Sequence, residues 1–184
     1  MRVISGVCKG RKLFSLKGLA LRPTSDLVKE AVFDILQDRF PGQRVLDLFA
    51  GTGALGIEAL SRGAGFAVFV EAHGASRLVI QKNLTGCKFE NRAEIIPDEV
   101  LAAIRLLERR EETFDLIFMD PPYGKGFGRK VVGALCQSPI LSPHTLIIAE
   151  HSVDEELDSI HPLIRIDQRK YGRTLVSFFR KGAT

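Results

Sequence analysis

The feature that most constrains the fold is an alternation of short apolar runs with segments of helical periodicity, which extends from residue 44 to residue 149. The apolar runs predict strands at Arg44–Phe49, Phe66–Val70, Ala93–Ile96, Phe114–Met119 and Thr145–Ala149. Helical spacing predicts helices at Leu27–Leu36, Gly53–Arg62, Ala75–Leu84, Glu99–Leu107 and Arg129–Cys136. Almost continuously apolar strands that alternate with helices are typical of a parallel sheet covered on both faces. The sequence therefore predicts a doubly wound, Rossmann-like α/β fold.

The two ends of the chain depart from this alternation. Leu163–Arg169 and Arg173–Phe179 are separated by too few residues for a crossover helix, so they predict an antiparallel C-terminal hairpin at one edge of the sheet. Residues 2–5 and 12–16 indicate short strands or a hairpin before the first helix. A chain of 184 residues is long enough for one sizeable core. We therefore expect a single domain, with an arm at residues 1–25 and a core at residues 26–184.

The positive charge of the chain is concentrated in the arm. Six basic residues and no acid fall within residues 1–25, which leaves 20 basic and 22 acidic residues for the rest of a chain whose net charge is +4. Clustered basic side chains suit a polyanion, because each neutralised phosphate releases counterions. An ordinary solvated surface is the alternative interpretation. The residues predicted to bind RNA are Arg2, Lys9, Arg11, Lys12 and Arg22.

Other sequence features predict that the protein has no membrane span, secretory signal, disulfide framework or metal site. No apolar run approaches the length of a membrane span, and the first residues lack the pattern of a secretory signal, so we expect a cytoplasmic protein. The three cysteines, Cys8, Cys87 and Cys136, are far apart, and the histidines have no ligand spacing. We therefore expect no disulfide framework and no metal. We also expect a monomer.

A glycine-rich segment follows the first predicted core strand and opens a helix. Its sequence, Gly51-Thr52-Gly53-Ala54-Leu55-Gly56, fits the dinucleotide fingerprint, with Glu71 twenty residues after Gly51. Such glycines let the backbone turn sharply and approach a nucleoside without a Cβ in the way. They do not identify the ligand, and taken alone they would indicate a nicotinamide-dependent oxidoreductase.

Acidic residues near this segment favour a different cofactor. Asp47, four residues before Gly51, is unfavourable beside a pyrophosphate but suits the ammonium group of a methionine-type tail, although a buried aspartate that ties down a turn is the alternative. Glu71 can accept hydrogen bonds from ribose hydroxyls, and Asp98 can meet an adenine amino group or cap the next helix. We therefore predict S-adenosylmethionine as the cofactor. Its predicted binding residues are Asp47, Phe49, Gly51, Gly53, Glu71 and Asp98.

The segment Asp120-Pro121-Pro122-Tyr123 follows the fourth predicted core strand, at the same sheet edge as the glycines. The two prolines remove two backbone donors, so the loop presents only acceptors at the Asp120 carboxylate and the Pro121 carbonyl. Accepting both hydrogens of a planar amine such as guanine N2 would direct the nitrogen lone pair toward a methyl group. Tyr123 would stack on the base, a contact worth roughly 1–3 kcal/mol in nucleic-acid sites. We predict these four residues to be catalytic; a merely rigid exit turn is the alternative.

Several motifs together resemble those of a known family, the bacterial 16S ribosomal RNA guanine-N2 methyltransferases of the RsmD type. The motifs are Arg2-Val3-Ile4-Ser5-Gly6, Gly10-Arg11-Lys12-Leu13, Arg22-Pro23-Thr24-Ser25-Asp26, the segment from Leu46 to Gly56, the segment from Glu58 to Ala64, Asn83, Asp120-Pro121-Pro122-Tyr123 and Tyr171-Gly172. The resemblance implies a class I methyltransferase fold with a mostly parallel seven-stranded sheet and an N-terminal β-hairpin. It also implies methylation of a guanine in 16S rRNA within a small-subunit ribosomal particle.

Other functions remain open on the residues alone. The tetrapeptide can equally hold the N6 amino group of adenine in RNA or DNA. The glycine segment still fits a nicotinamide-dependent oxidoreductase, and a non-catalytic rRNA-binding assembly factor could retain the same fold.

Overall fold

A computed structural model of the chain describes residues 1–16, 23–37, 39–122, 126–155 and 157–182. Its α-helices are α1 Pro23–Leu36, α2 Ala54–Ser61, α3 Gly74–Cys87, α4 Val100–Arg109 and α5 Phe127–Cys136. Its strands are β1 Arg44–Asp47, β2 Phe66–Val70, β3 Ala93–Ile96, β4 Phe114–Met119, β5 Leu141–Ser152, β6 Leu163–Tyr171 and β7 Thr174–Lys181.

The strands within the described ranges form one seven-stranded sheet in the order β3-β2-β1-β4-β5-β7-β6. The first five strands in this order are parallel, whereas β7 runs antiparallel to both of its neighbours. The turn between β6 and β7 contains Gly172 at φ +62°, in the left-handed region that favours glycine. The predicted α/β fold and its C-terminal antiparallel hairpin are confirmed.

Successive strand residues pack into two cores because side chains alternate across the sheet. Val45 and Phe69 face a core formed with α1, α2 and α3, and Val3 and Leu13 of the N-terminal segment join it. Leu46 faces the opposite core, formed with α4 and α5. The chain thus has three layers, and the N-terminal segment lies on the same side of the sheet as α1, α2 and α3.

Strand β5 is longer than the sequence predicts. The expected strand covers Thr145–Ala149, whereas β5 extends from Leu141 to Ser152. Its C-terminal half pairs with β7 from Ile147 to Ser152, so cross-strand hydrogen bonds keep the backbone extended beyond the apolar run. Tertiary pairing, rather than local composition, sets where this strand ends.

The predicted N-terminal β-hairpin is wrong as a pair of strands. Residues 1–16, called the arm from here on, contain one isolated antiparallel bridge, between Arg2 and Lys12, and a single 3-10 turn at Gly6–Cys8. The two limbs do lie side by side, because the Val3 N–H donates to the Arg11 carbonyl over 3.0 Å. A longer ladder does not form because other backbone N–H groups of the arm donate to side chains of α2.

No helix in the described part of the chain is both long and apolar enough to cross a membrane.

Candidate active site

The candidate site lies where the strand order reverses. Strand β1 lies between β2 and β4, and the chain just beyond it hydrogen-bonds to both neighbours. The Leu48 N–H donates to the Phe118 carbonyl over 3.0 Å, and the Ala50 N–H donates to the Val70 carbonyl over 3.0 Å. Ligands of open α/β sheets bind at such a switch point, outside the carboxyl ends of the strands. We call this region, with Asp47, Glu71 and Asp120, the carboxyl edge.

The glycine loop, residues 51–53, adopts a backbone that requires glycine. Gly51 has φ +55° and Gly53 has φ +79°, both in the left-handed region. The Gly53 N–H closes the turn onto the Ala50 carbonyl at 2.6 Å. Gly56 serves packing instead, because a Cβ there would lie 2.3 Å from the ring of Phe69 on β2. The third glycine therefore lets α2 approach the sheet closely and keeps the loop near the edge.

Asp47 ends β1 as a buried carboxylate, with a relative exposure of 2%. Its Oδ2 accepts a hydrogen bond from the Gly56 N–H at 3.2 Å, near the start of α2. Burial raises the pKa of Asp47 to about 7; the Gly56 N–H opposes this shift and the nearby carboxylate of Glu71 adds to it. Asp47 does tie down a turn, as the structural alternative expected. A cationic ligand beside it would favour its ionised form.

Glu71 connects the end of β2 to the glycine loop. Its Oε2 accepts from the Gly51 N–H at 2.8 Å, and its Oε1 accepts from the His73 N–H at 2.8 Å. Each carboxylate oxygen has a second lone pair. Glu71 can therefore shape the loop and still accept hydrogen bonds from ligand hydroxyls.

Asp98 follows β3 and is exposed. Its Oδ1 accepts from the adjacent Glu99 N–H at 2.8 Å, and Glu99 itself occupies the N-cap position of α4. The alternative in which Asp98 takes that cap position is wrong, since α4 begins one residue later than expected. Its predicted contact with adenine stays a prediction.

One cavity brings the glycine loop and Asp120 together. It has a volume of about 170 Å³, and its walls come from the glycine loop, the ends of β4 and β5, β7, α1 and the start of the arm. Asp120 is exposed and Pro121 is buried, so the carboxylate stands at the rim while the next residue anchors the loop. Tyr123, predicted to stack on the base, lies outside the described residues. The two principal motifs of the sequence thus meet, as their places on the strand ends predicted.

The cavity wall also contains residues that the sequence reasoning missed. Lys29 on α1 and Glu150 on β5 both line the cavity. Lys29 is only 4% exposed; its Nζ donates to the Arg2 carbonyl at 2.8 Å and lies 3.6 Å from the carboxylate of Glu58. The sequence feature that could have identified Lys29 is its place beside Val28 on the apolar face of a helix, where a basic residue needs a buried partner.

The arm is fixed to α2 by a set of polar contacts that we call the arm seam. Glu58, fully buried, accepts from the Ile4 N–H at 2.7 Å and the Ser5 N–H at 3.0 Å, and it pairs with Arg62 at 3.0 Å. Ser61 accepts from the Cys8 N–H at 2.9 Å and donates to the Ser5 carbonyl at 2.6 Å. These bonds take up the backbone donors that a hairpin ladder would have used.

Docking of the arm turns its basic side chains outward. Val3 and Leu13 are buried, and the predicted RNA-binding residues Arg2, Lys9, Arg11 and Lys12 are exposed. The fifth, Arg22, lies outside the described residues. The arm meets the cavity wall where the Lys29 Nζ donates to the Arg2 carbonyl.

No group of three or more histidine, cysteine or acidic side chains is placed to hold a metal ion within the ranges that the structure covers.

The fold and this edge define a class of protein, a Rossmann-like methyltransferase. Among solved structures, the chain is similar to "Putative methyltransferase yhhF" from Escherichia coli, with a TM-score of 0.88 and 29% identity over 100% of this chain and 99% of that one. The "SAM Dependent Methyltransferase" of Agrobacterium tumefaciens shares the fold, with a TM-score of 0.65 and 19% identity over 92% of this chain and 66% of that one.

Sequence comparison then defines the family. The model of the family described as "Conserved hypothetical protein 95" matches residues 1–180, and the chain belongs to this family, which is the RsmD family. It is 36% identical to "Putative rRNA methyltransferase YlbH" of Bacillus subtilis over 98% of this chain and 99% of that one. It is also 36% identical to "Ribosomal RNA small subunit methyltransferase D" of Haemophilus influenzae over 85% of this chain and 81% of that one. The class predicted from the sequence, a methyltransferase that uses S-adenosylmethionine, is confirmed.

Proposed function

We propose that this protein transfers a methyl group from S-adenosylmethionine to the exocyclic N2 amino group of a guanine in 16S rRNA of the small ribosomal subunit. The observation that carries the proposal is the shared cavity of Asp120 and the glycine loop. Relatives described as ribosomal RNA small subunit methyltransferase D, which the chain matches at 34–36% identity, support the RNA substrate. The N2 position rests on the resemblance of the sequence motifs.

The carboxyl edge suits a cationic cofactor. The bound cofactor would supply a methyl group on a positively charged sulfur. After transfer, that sulfur leaves as a neutral thioether, which needs no metal to stabilise it. Asp47, beside the loop, would face the ammonium of the methionine tail, while Glu71 would accept from the ribose hydroxyls. Carboxylates near a ligand favour positive charge, and they disfavour the pyrophosphate of a nicotinamide cofactor. This charge pattern supports the methyltransferase over the oxidoreductase that the glycines alone suggested.

The Asp120 loop would position the acceptor amine. The Asp120 carboxylate and the Pro121 carbonyl would each accept one amine hydrogen, which directs the nitrogen lone pair toward the methyl group. Orientation of this kind can contribute roughly 7–11 kcal/mol to a displacement between two bound groups. Alkylation makes the nitrogen acidic, so Asp120 or water would then take up its proton.

The arm would hold the RNA. Its exposed basic side chains surround a backbone that the arm seam fixes against α2, so they form a preorganised surface for phosphates. The proposed substrate is the rRNA within a small-subunit particle, which would place the reaction in the cytoplasm.

The test is a pair of aspartate variants assayed on unmethylated small ribosomal subunits with labelled cofactor, followed by nucleoside analysis. The wild type should produce N2-methylguanosine. Asp120→Ala should lower the methylation rate by about 10²–10³-fold, the range typical for loss of one electrostatic contact to the reacting group. Its affinity for S-adenosylhomocysteine should stay within a few-fold of the wild type.

Asp34→Ala is the matched control, since Asp34 is an exposed aspartate on α1, outside the cavity. It should methylate at the wild-type rate. N6-methyladenosine as the product would contradict the proposed acceptor. Full activity of Asp120→Ala would contradict the proposed role of the loop.

A further inference from the structure

Asn83 joins the arm to the glycine loop through one buried side chain. It lies on α3 with a relative exposure of 2%. Its Oδ1 accepts from the Phe14 N–H at 2.7 Å, and its Nδ2 donates to the Phe14 carbonyl at 3.1 Å and to the Thr52 carbonyl at 2.9 Å. The amide thus binds both backbone groups of one arm residue and one backbone group of the loop.

The two ends of this connection belong to different parts of the candidate site. Thr52 stands between Gly51 and Gly53, so its carbonyl orientation is part of the loop conformation that lines the cavity. Phe14 stands two residues after Lys12 in the second limb of the arm, and the Lys82 ammonium lies 3.9 Å from the centre of its ring. A displacement of either segment must stretch the hydrogen bonds of the same amide.

We propose that Asn83 is a positioning residue that couples RNA binding on the arm to cofactor binding at the glycine loop. That the molecule bound by the arm is RNA rests on the function proposed above. An amide with both hydrogens and one oxygen lone pair engaged holds its partners in one arrangement. Phosphate contacts that hold the second limb of the arm in this position therefore also favour the loop conformation that receives the cofactor. Because linkage is reciprocal, bound cofactor strengthens RNA binding by the same factor.

Asn83→Asp removes this coupling with little change in volume. A carboxylate can still accept from the Phe14 N–H, but it cannot donate to the carbonyls of Phe14 and Thr52 and it places negative charge against both. We expect the affinity for S-adenosylhomocysteine, measured without RNA, to fall about tenfold, as expected for one lost buried contact. Gln81→Ala, which removes an exposed amide two residues away on the same helix, should have no effect.

The experiment is calorimetric titration with S-adenosylhomocysteine in the absence and presence of saturating unmethylated small ribosomal subunits. In the wild type and in Gln81→Ala, the subunits should tighten binding by at least about fivefold, the lower end of typical coupling factors. In Asn83→Asp the ratio of the two affinities should fall to about one, which means that the two sites are no longer coupled. An unchanged ratio in Asn83→Asp, or a ratio of one in the wild type, would overturn the inference.

Phe14→Pro tests the same link if Asn83→Asp does not fold. Proline removes the N–H that donates to Asn83 and leaves α3 and the loop intact. Binding of S-adenosylhomocysteine alone should then stay near the wild-type value, while the ratio with RNA falls; an unchanged ratio would count against the inference. Failure of the proposed function would appear differently, as a wild type that binds no S-adenosylhomocysteine or that forms no N2-methylguanosine.

Discussion

The arm seam and the carboxyl edge both place a buried carboxylate close to α2, yet the charged neighbours of the two carboxylates are opposite in sign. At the arm seam, fully buried Glu58 receives two backbone N–H groups and lies beside the cations of Arg62 and Lys29. At the carboxyl edge, buried Asp47 accepts from the Gly56 N–H and has another carboxylate, that of Glu71, as a charged neighbour.

This difference distinguishes a carboxylate that stabilises the fold from one that is available to a ligand. A buried charge with complete partners stabilises a particular arrangement of the chain, here the docked arm. A buried carboxylate next to a second one is unfavourable when ionised, and a cationic ligand relieves that cost. The arm seam is thus complete without a ligand, whereas at the carboxyl edge we propose that a cationic ligand supplies the countercharge.

The largest expected effect is on the arm seam. Glu58→Ala removes the acceptor of two backbone N–H groups and one carboxylate beside the buried Lys29. We expect the free energy of unfolding to fall by about 3–5 kcal/mol, the cost typical of breaking a buried ion pair from one side. Denaturant titration checks this, with Glu30→Ala, an exposed glutamate on α1, as the control. A loss below about 1 kcal/mol, the level of an exposed pair, would remove the distinction between the two regions.

The next effect concerns the pH dependence of cofactor binding. Asp47 has a pKa of about 7 in the folded protein, above its ordinary value, so the carboxyl holds its proton below that pH. The ammonium group of the proposed ligand needs the ionised carboxylate of Asp47. The affinity for S-adenosylhomocysteine should therefore fall about tenfold per pH unit as the pH drops below 7 and level off above it.

Asp47→Asn should bind more weakly at pH 8 and lose this pH dependence between pH 5.5 and 8 in the calorimetric titration. Asp34→Asn, at an exposed position, should keep the wild-type profile. If Asp47→Asn retains the wild-type slope, another group controls binding and Asp47 only ties the turn.

A smaller effect is expected at the second anchor of the arm. Ser61→Ala removes one acceptor for the Cys8 N–H and one donor to the Ser5 carbonyl. The free energy of unfolding should fall by about 1–2 kcal/mol, since two partly buried partners lose their hydrogen bonds. Thr85→Ala, at an exposed hydroxyl on α3, should leave it unchanged. A neutral Ser61→Ala would mean that Ser61 does not help to hold the arm.

The smallest effect is on the salt dependence of RNA binding. Replacing Arg11 and Lys12 with alanine should reduce the slope of log affinity against log salt by about 1.4, or 0.7 for each lost phosphate contact on single-stranded RNA. The control replaces Arg105 and Arg109, exposed on α4 across the sheet, and should leave the slope unchanged. An equal change in both pairs would show that the basic arm has no special role.

Local pattern was sufficient for most of the framework. The runs at Phe66–Val70, Ala93–Ile96 and Phe114–Met119 are strands with the bounds that their apolar composition predicted. The same pattern located the glycine loop and Asp120 at one sheet edge, because parallel strands bring their carboxyl ends together. It marked Lys29 as a basic residue on the apolar face of α1, but it could not show the cavity that Lys29 lines, since segments far apart in the chain form that cavity.

The amino-acid sequence by itself determined the order of strands and helices, the motifs at the strand ends and the family of this protein, because these depend on hydrophobic period and on residues close together in the chain. Only the tertiary structure decided how the arm is held and what each carboxylate does. Ile4 and Glu58 meet across more than 50 positions, and so do Phe14 and Asn83. Burial and partners, which long-range packing sets, made Glu58 structural and raised the pKa of Asp47.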